Sequence, residues 1–135
     1  MATIKLEIVT PEGKSFSDDV DMVTLTGIEG EMGILPQHMP LMTQLVEGEI
    51  NVRKGAENIF LAVGAGFVQI TGERIAILTD MAVRAENIDE AAAESAREKA
   101  QARLGQRLSE EESATVQAQM AHLTTQLKVK LRHKK

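Results

Sequence analysis

The 135-residue sequence contains no cysteine, no tryptophan and no tyrosine, and only three phenylalanines. Without cysteine the chain has no disulfide, no thiolate nucleophile and no thiolate ligand for zinc. So few aromatic rings argue against a stacking platform for single-stranded nucleic acid and against an aromatic cage for a quaternary ammonium group. The sequence therefore predicts an aliphatic core.

The chain also lacks an excess of positive charge and any long apolar run. Fifteen Lys and Arg against twenty Asp and Glu give a formal net charge of −5, which disfavours nucleic acid as a partner. No apolar run approaches the roughly 18 residues of a membrane span, and the N-terminal residues show no signal-peptide pattern. We expect a soluble protein on the cytoplasmic side that has no membrane span and reaches a membrane only through a partner.

The composition changes near residue 86, which predicts two units, residues 1–86 and residues 87–135. Nine of the ten glycines precede residue 73, and all three prolines precede residue 41. Residues 1–86 carry six basic and thirteen acidic side chains, whereas residues 87–135 carry nine basic and seven acidic ones. The two segments therefore follow different local rules.

The first segment has the two-residue period of half-buried strands. Ile4, Leu6 and Ile8 alternate with charged residues, and short apolar segments recur with turn signals every 8–12 residues. No helical stretch lies between them, so a parallel α/β sheet is not expected. The pattern predicts an antiparallel sandwich or barrel.

The second segment has a helical period. Asn87 with Glu90 and Ser109 with Glu112 have the spacing of capping boxes, and Gly105 is a candidate helix end. We expect an antiparallel two-helix hairpin. Its first helix presents mostly alanine, which buries little area, so the hairpin is predicted to be marginal alone and able to open against another surface. The predicted buried positions are Ile88, Ala92, Ala96, Ala100, Leu104 and Leu108 in the first helix and Val116, Met120, Leu123, Leu127 and Leu131 in the second.

No catalytic constellation is evident. The three histidines, His38, His122 and His133, lie in different segments, lack metal-ligand spacing and are expected in solvent or at an interface. Gly27 and Gly30 belong to a G-x-x-G-x-x-G run that does not match the dinucleotide fingerprint. We expect no cofactor, no metal and no active site in this chain.

Two surface features have alternative interpretations. Ile28 and Met32 stand among glycines and acidic residues, so they form either an exposed docking tip or a turn whose apolar side chains fold inward. The last eight residues contain five Lys or Arg. They act either as cations that complement a helix C-terminus or as an electrostatic arm for an acidic partner.

Four segments together resemble the epsilon subunit of bacterial and chloroplast F-type ATP synthases. The run from Thr26 to Leu41, with its Gly-Ile-Leu-Pro-Gln-His-Met-Pro-Leu core, is similar to the family signature. Gly64 to Ile70 resembles its Gly-Gly-Phe-Val-Glu-Val strand, and Ile77 to Ala82 its Val-Leu-Ala-Asp-x-Ala segment. Ile88-Asp89-Glu90-Ala91 opens the helical part as the family does.

The resemblance implies a ten-stranded β-sandwich followed by a helix hairpin, placed in the central rotor stalk. There the sandwich would bind the gamma subunit and the membrane ring of c subunits, and rotation would couple proton flow to ATP synthesis. The helices would contact the alpha/beta catalytic head and inhibit ATP hydrolysis. The protein would be peripheral on the cytoplasmic face of a bacterial plasma membrane or on the stromal face of a thylakoid membrane.

The resemblance also assigns residues to these contacts. The tip that faces the c-ring would comprise Ile28, Glu29, Glu31, Met32 and His38. Basic residues suited to the acidic surface of the catalytic head are Arg97, Arg103, Arg107, Lys128, Lys130 and Arg132.

One departure concerns nucleotide binding. Family members that bind ATP on the hairpin have an Ile-Asp-x-x-Arg-Ala motif and two further arginines four residues apart. Here Ile88 and Asp89 are present, but Ala92 stands at the arginine position, and His122 and Gln126 stand at the other two. Without those guanidinium groups a polyphosphate loses its strongest charge-assisted bonds, so weak or absent ATP binding is predicted.

Two other functions are alternatives. A ligand-binding β-sandwich would require convergent basic residues, and residues 1–86 hold only six scattered ones. A small hydrolase would require a working carboxylate pair. Asp18-Asp19 lies in a predicted turn, and Glu111-Glu112 lies in the first turn of a helix, where acids complement the dipole.

Overall fold

A computed structural model describes residues 2–37 and 40–133. Ten strands precede a short 3-10 turn, Ala85–Asn87, and two helices. The strands are β1 (Ile4–Thr10), β2 (Gly13–Val20), β3 (Met22–Gly27), β4 (Gly30–Ile34), β5 (Leu41–Leu45), β6 (Gly48–Lys54), β7 (Glu57–Val63), β8 (Gly66–Ile70), β9 (Arg74–Thr79) and β10 (Ala82–Arg84). The helices are α1 (Glu90–Leu104) and α2 (Glu110–Arg132).

The strands form one hydrogen-bonded network that folds on itself, which confirms the predicted sandwich followed by helices. The strand order is β10-β7-β6-β3-β5-β8-β9-β1-β2, and β4 pairs with β3. Neighbouring strands run antiparallel with one exception among the described residues, the parallel pair β1 and β9. These two strands are far apart in the sequence, so the intervening chain provides the crossover that a parallel pair requires.

The interior of the sandwich is aliphatic, as the composition predicts. Ile4, Leu6 and Ile8 all point inward from β1 and are almost completely buried. Phe16 is the aromatic member of this core. The remaining buried members are Val20, Val23, Leu25, Ile34, Leu45, Ile50, Val52, Leu61, Val63, Val68, Ile70, Ile75 and Ile77.

Helix α1 begins two residues later than a cap at Asn87 would place it, so that prediction is wrong. Asn87 belongs to the 3-10 turn, and Asp89 is the residue that caps α1. Its extended backbone lets the carboxylate accept a hydrogen bond from the Ala92 amide at 3.0 Å. The predicted end of the helix at Gly105 is confirmed.

The buried stripe of α1 differs from the predicted one. Ala93 and Ala100 are buried, whereas Ala92 is exposed. An α-helix with 3.6 residues per turn returns to the same face after about seven residues, so the face that holds Ala100 also holds Ala93. A strict four-residue repeat drifts away from that face, which is why Ala92 is exposed. The alanine character of the seam is nevertheless as predicted.

Helix α2 begins with the predicted capping box. The Ser109 hydroxyl accepts from the Glu112 amide, and the Glu112 carboxylate accepts from the Ser109 amide. The predicted positions from Val116 to Leu127 are buried or half-buried, but Leu131 is 55% exposed. Val129, which the periodicity missed, is buried against the sandwich beside Ala62, Ala85 and Ile88.

Candidate functional site

The β3–β4 hairpin forms the tip predicted as a docking loop. Gly27 pairs with Gly30, whose φ of 125° lies in the left-handed region that favours glycine. Ile28 is 62% exposed at the turn, and Glu29 and Glu31 are exposed beside it. Met32 is different, because it is half-buried and packs against the core.

The register of the hairpin explains why the two apolar residues differ. Met32 is the cross-strand partner of Leu25, and cross-strand partners share a face of the sheet. Leu25 is buried in the core, so Met32 lies on the inner face, whereas Ile28 lies in the turn beyond the ladder. The tip therefore presents one apolar side chain among carboxylates. His38, predicted as part of the same tip, lies outside the described residues.

A second surface consists of exposed apolar side chains on β5, β8 and β9, which we call the apolar face. Phe67 is 54% exposed and Leu78 is 56% exposed, and the two are cross-strand partners. Val9 of β1 continues the row beyond Leu78, and Met42 of β5 is 68% exposed. The strands approach closely here, since a Cβ on Gly66 would lie 1.9 Å from the Leu78 carbonyl oxygen.

Sequence reasoning did not single out the apolar face, although a signal was present. In Phe67-Val68 and in Ile77-Leu78, apolar residues occupy both phases of the strand alternation. One residue of each pair faces the core, so the other must face outward. Val68 and Ile77 are buried, which leaves Phe67 and Leu78 on the surface.

Helix α2 contacts the sandwich through His122. Its Nδ1 lies 3.3 Å from Glu47 Oε2, and its Nε2 lies 3.2 Å from Asp80 Oδ2. The Thr125 hydroxyl donates to the same Glu47 oxygen at 2.7 Å. His122 is therefore an interface histidine, one of the two environments that the sequence predicted.

The C-terminal end of α2 makes a second set of contacts with the sandwich. His133 Nε2 lies 2.6 Å from Glu49 Oε1, and its ring stacks on Phe60 with centroids 3.5 Å apart. Arg132 Nη1 lies 3.5 Å from the same Glu49 oxygen. Lys130 Nζ donates to the Ala85 carbonyl at 3.2 Å.

The predicted head-contact cations are thus divided into two groups. Lys130 and Arg132 are engaged with the chain's own sandwich, whereas Lys128 is exposed. Arg97 of α1 is half-buried, and Arg107, in the connection between α1 and α2, is exposed. Arg103 is also exposed and lies 3.9 Å from Glu112 of α2.

The positions that align with an ATP site have other roles in this structure. Ile88 is buried against Val129, and the Asp89 carboxylate caps α1. Ala92 is exposed and Gln126 is half-buried. His122 lies between two carboxylates, which would repel a polyphosphate.

The carboxylates of the sandwich show structural pairing rather than a catalytic pair. Glu7 is buried between Lys14, at 2.8 Å, and Arg74. The hydrogen bond from Lys14 is the main cause that lowers the pKa of Glu7 below its usual value. Asp18 pairs with Lys54, and this hydrogen bond lowers its pKa as well.

The described part of the chain offers no metal cluster and no membrane-spanning helix. Within residues 2–37 and 40–133, no group of three or more His, Asp or Glu side chains is placed to hold a metal ion. Neither α1 nor α2 is both long and apolar enough to cross a bilayer.

Comparisons with known proteins agree with this architecture. Residues 3–85 match the family described as "ATP synthase, Delta/Epsilon chain, beta-sandwich domain". The chain is 49% identical over 102 residues to the ATP synthase epsilon chain of Dehalococcoides mccartyi, covering 76% of this chain and 73% of that one. It is 41% identical over 126 residues to the epsilon chain of Herpetosiphon aurantiacus, covering 93% of each.

A solved structure extends the likeness across the helices. A chain of the Euglena gracilis mitochondrial ATP synthase, from a cryo-EM structure of OSCP, F1 and the c-ring, has a TM-score of 0.71 and 25% identity. The match covers 93% of this chain and 79% of that one. With the sandwich, the hairpin and these relatives in agreement, the chain belongs to the family of ATP synthase epsilon chains.

Proposed function

We propose that this chain is a rotor subunit in the central stalk that couples proton flow to ATP synthesis. The apolar face is the observation that carries the proposal. Phe67, Leu78 and Met42 are each more than half exposed on adjoining strands. Large apolar side chains exposed together on neighbouring strands of an acidic protein mark an interaction surface.

The gamma subunit is the partner that we assign to the apolar face. The hairpin packs mainly on β7 and β6, at the other end of the strand order, whereas Phe67 of β8 and Leu78 of β9 are exposed. A shallow groove of about 470 Å³ lies beside these side chains and offers space for a side chain of the partner. Its lining includes Val9, Pro11 and Leu78. A torque-bearing contact requires such a rigid platform, and these strands are held by a continuous ladder.

Charge substitution on the apolar face tests this assignment. Phe67→Glu or Leu78→Glu should weaken retention of the chain by the purified synthase at least about tenfold, because a carboxylate would be desolvated at the interface. Ala56→Glu is the matched control, since it adds the same carboxylate at an exposed position of the β6–β7 turn, away from the apolar face. Full retention of the Phe67 and Leu78 variants would contradict the assignment.

We assign the tip of the β3–β4 hairpin to the c-ring. The exposed Ile28 side chain between Glu29 and Glu31 suits a partner surface with a polar rim and a small apolar pocket. Glu31→Arg should reduce ATP-driven proton pumping relative to ATP hydrolysis by reversing the charge at this contact. Met32→Arg should also disturb the hairpin, because Met32 packs inward. Normal pumping in the Glu31 variant would remove the tip from the interface.

The hairpin is proposed to inhibit ATP hydrolysis by leaving the sandwich and contacting the catalytic head. Helix α1 packs mainly on α2, so the pair can move as one unit. Movement would release Lys130 and Arg132 from the sandwich and add them to the exposed Arg103, Arg107 and Lys128. This gives a set of cations for an acidic surface of the alpha/beta head.

We further propose that the hairpin does not bind ATP with useful affinity. Asp89 is committed to its cap, Ala92 provides no donor, and His122 is flanked by Glu47 and Asp80. Calorimetric titration of the full chain with ATP should show no binding at micromolar concentrations.

We place the subunit at the cytoplasmic face of a bacterial plasma membrane, as a peripheral protein that carries no nucleotide of its own.

A further inference from the structure

His122 is placed where its protonation state determines how many bonds hold the hairpin. One ring nitrogen faces Glu47 and the other faces Asp80, at 3.3 and 3.2 Å. A neutral imidazole has one N–H, so one of the two carboxylates would then face a lone pair. A protonated imidazole donates to both carboxylates and carries the charge that opposes theirs.

The sandwich is shaped to receive this ring. A Cβ on Gly64 would lie 3.0 Å from His122 Cε1 and 2.1 Å from Asp80 Oδ1, so glycine leaves the space that the pair occupies. The Thr125 hydroxyl donates to the Glu47 oxygen that faces His122 and thereby holds this carboxylate toward the ring. His122 and Glu47 are each only about one-fifth exposed, at 23% and 22% of their side chains.

His133 repeats the arrangement at the end of the helix with a weaker charge balance. Its Nε2 faces Glu49, while the neighbouring Arg132 shares that carboxylate and opposes a second positive charge. Glu31 lines the same small polar cavity as Glu49 and Arg132. Phe60, on which the ring stacks, is uncharged. We therefore expect His133 to contribute less than His122.

We infer that docking of the hairpin on the sandwich is coupled to proton uptake, with His122 as the principal proton-binding group and His133 as the second. His122 lies in α2 and His133 directly follows it, whereas all three carboxylates belong to the sandwich, so these bonds exist only in the docked arrangement. If the docked state binds protons more tightly than the released state, falling pH stabilises the docked state. Acid therefore holds the hairpin down, and rising pH releases it.

We call this arrangement the proton-dependent latch. The other described contacts of α2 with the sandwich involve no imidazole: Val129 is apolar, Thr125 is neutral, Lys130 bonds a backbone carbonyl and Arg132 contributes a guanidinium. The consequence for regulation rests on the proposed function. If the released hairpin inhibits the head, inhibition strengthens as pH rises, and an acidified compartment relieves it.

The latch can be tested on the isolated full chain by trapping the open state chemically. The sequence has no cysteine, so Val129→Cys introduces a single thiol on the side of α2 that faces the sandwich, at a position that is 3% exposed. A disulfide reagent reaches this thiol only when the hairpin opens, even if open molecules are rare. Dividing its rate by that of a small free thiol at the same pH removes the intrinsic thiolate dependence.

We expect the normalised rate for Val129→Cys to rise about tenfold or more between pH 6 and pH 8. Adding His122→Gln and His133→Gln should flatten the profile. Glu47→Gln with Asp80→Asn should make the profile shallower, because it removes the acceptors of His122 but leaves His133 facing Glu49. Lys128→Gln is the matched control, because it removes an exposed cation of the same helix and should keep the rise. Val68→Cys, in the sandwich core, should react slowly at every pH and thereby exclude global unfolding.

A flat profile for Val129→Cys, or an equally steep one after both histidines are replaced, overturns the latch. The result is independent of the catalytic head, since no other subunit is present. Absence of inhibition in the assembled enzyme would therefore contradict the proposed function but leave the thiol result in place. A flat thiol profile would contradict the latch but leave the proposed function in place.

Discussion

The sandwich and the hairpin differ in what holds each of them together. Seventeen residues form the buried core of the sandwich, nearly all of them Val, Leu or Ile. Each such side chain contributes about 1.5–3 kcal/mol when fully buried. Helix α1 buries only Ala93 and Ala100, and an alanine methyl group contributes about 0.8 kcal/mol. The sandwich is therefore stable through its own core, whereas the stability of the hairpin depends on the surface against which it packs.

The contacts between the two units are of a third kind. Apart from the small cluster around Val129 and Ile88, α2 is held by charged or polar pairs that reach Glu47, Glu49 and Asp80. Partly exposed pairs of this kind contribute modestly to stability and respond to pH and salt. An interface of this composition can be separated without unfolding the sandwich, as the proposed release of the hairpin requires.

Deletion of residues 87–135 is the largest perturbation of this comparison. We expect the remaining chain to keep its sheet, because none of the core residues of the sandwich lies beyond Ile77. Circular dichroism should show strand signal without helix, and a cooperative melt should persist. An unfolded product would show that the sandwich depends on the hairpin.

The same deletion tests the proposed inhibition in the assembled synthase. ATP hydrolysis should increase when the hairpin is absent, because no helix can reach the head. The control is Lys128→Gln with Arg107→Gln in the full chain, which removes two exposed cations but leaves the fold intact. This variant should give an intermediate rate. An unchanged rate after the deletion would place inhibition in another subunit.

Matched core truncations in the two units should give unequal results. Ile77→Ala removes a fully buried side chain of the sandwich and should lower the free energy of unfolding by about 2–5 kcal/mol. Leu127→Ala, at 3% exposure, should cost less and act mainly on the helical signal. Urea denaturation followed separately by strand and helix signals checks this. Equal losses in both signals for Leu127→Ala would mean that the chain unfolds as one unit.

Much of this architecture could be predicted because its signals are local. Alternation in Ile4-Leu6-Ile8, the Ser109–Glu112 capping box and the Gly105 stop each depend on residues within a few positions of one another. The apolar character of the tip could be predicted too, but not that Ile28 would point outward and Met32 inward. That difference depends on the register of β4 against β3.

The histidine contacts could not be predicted for a related reason. His122 and Glu47 are 75 residues apart, and nothing local marks either one as the partner of the other. The wrong prediction of a cap at Asn87 has a different cause, because here a local signal was present at two neighbouring positions. Two acceptable N-cap residues, Asn87 and Asp89, compete locally, and the 3-10 turn that determines the outcome is itself held against the sandwich by Ala85.

Removal of the α2 cap should have a smaller effect, confined to the hairpin. Ser109→Ala deletes the hydroxyl that accepts from the Glu112 amide and should cost about 1 kcal/mol of helix stability. Ser95→Ala, at an exposed interior position of α1, is the control and should be neutral or slightly stabilising. Amide exchange in the first turn of α2 should accelerate only in the Ser109 variant, and equal exchange in both variants would contradict the role of the cap.

The smallest effect is expected at an exposed ion pair of the sandwich. Asp18 and Lys54 are each about half exposed, and the hydrogen bond from Lys54 lowers the pKa of Asp18 below its usual value of 3.8. A lowered pKa in the folded state means that the unfolded chain binds the proton first. The pair therefore stabilises the sandwich above pH 3.8 and loses its contribution as pH falls further. Asp18→Asn should flatten the dependence of melting temperature on pH in this range, whereas Asp19→Asn should leave it unchanged. Solvent screens both charges, so Asp18→Asn should change the melting temperature little at neutral pH. A large change in melting temperature there would contradict this view of the pair and would mean that the sandwich depends on its surface charges as the hairpin does.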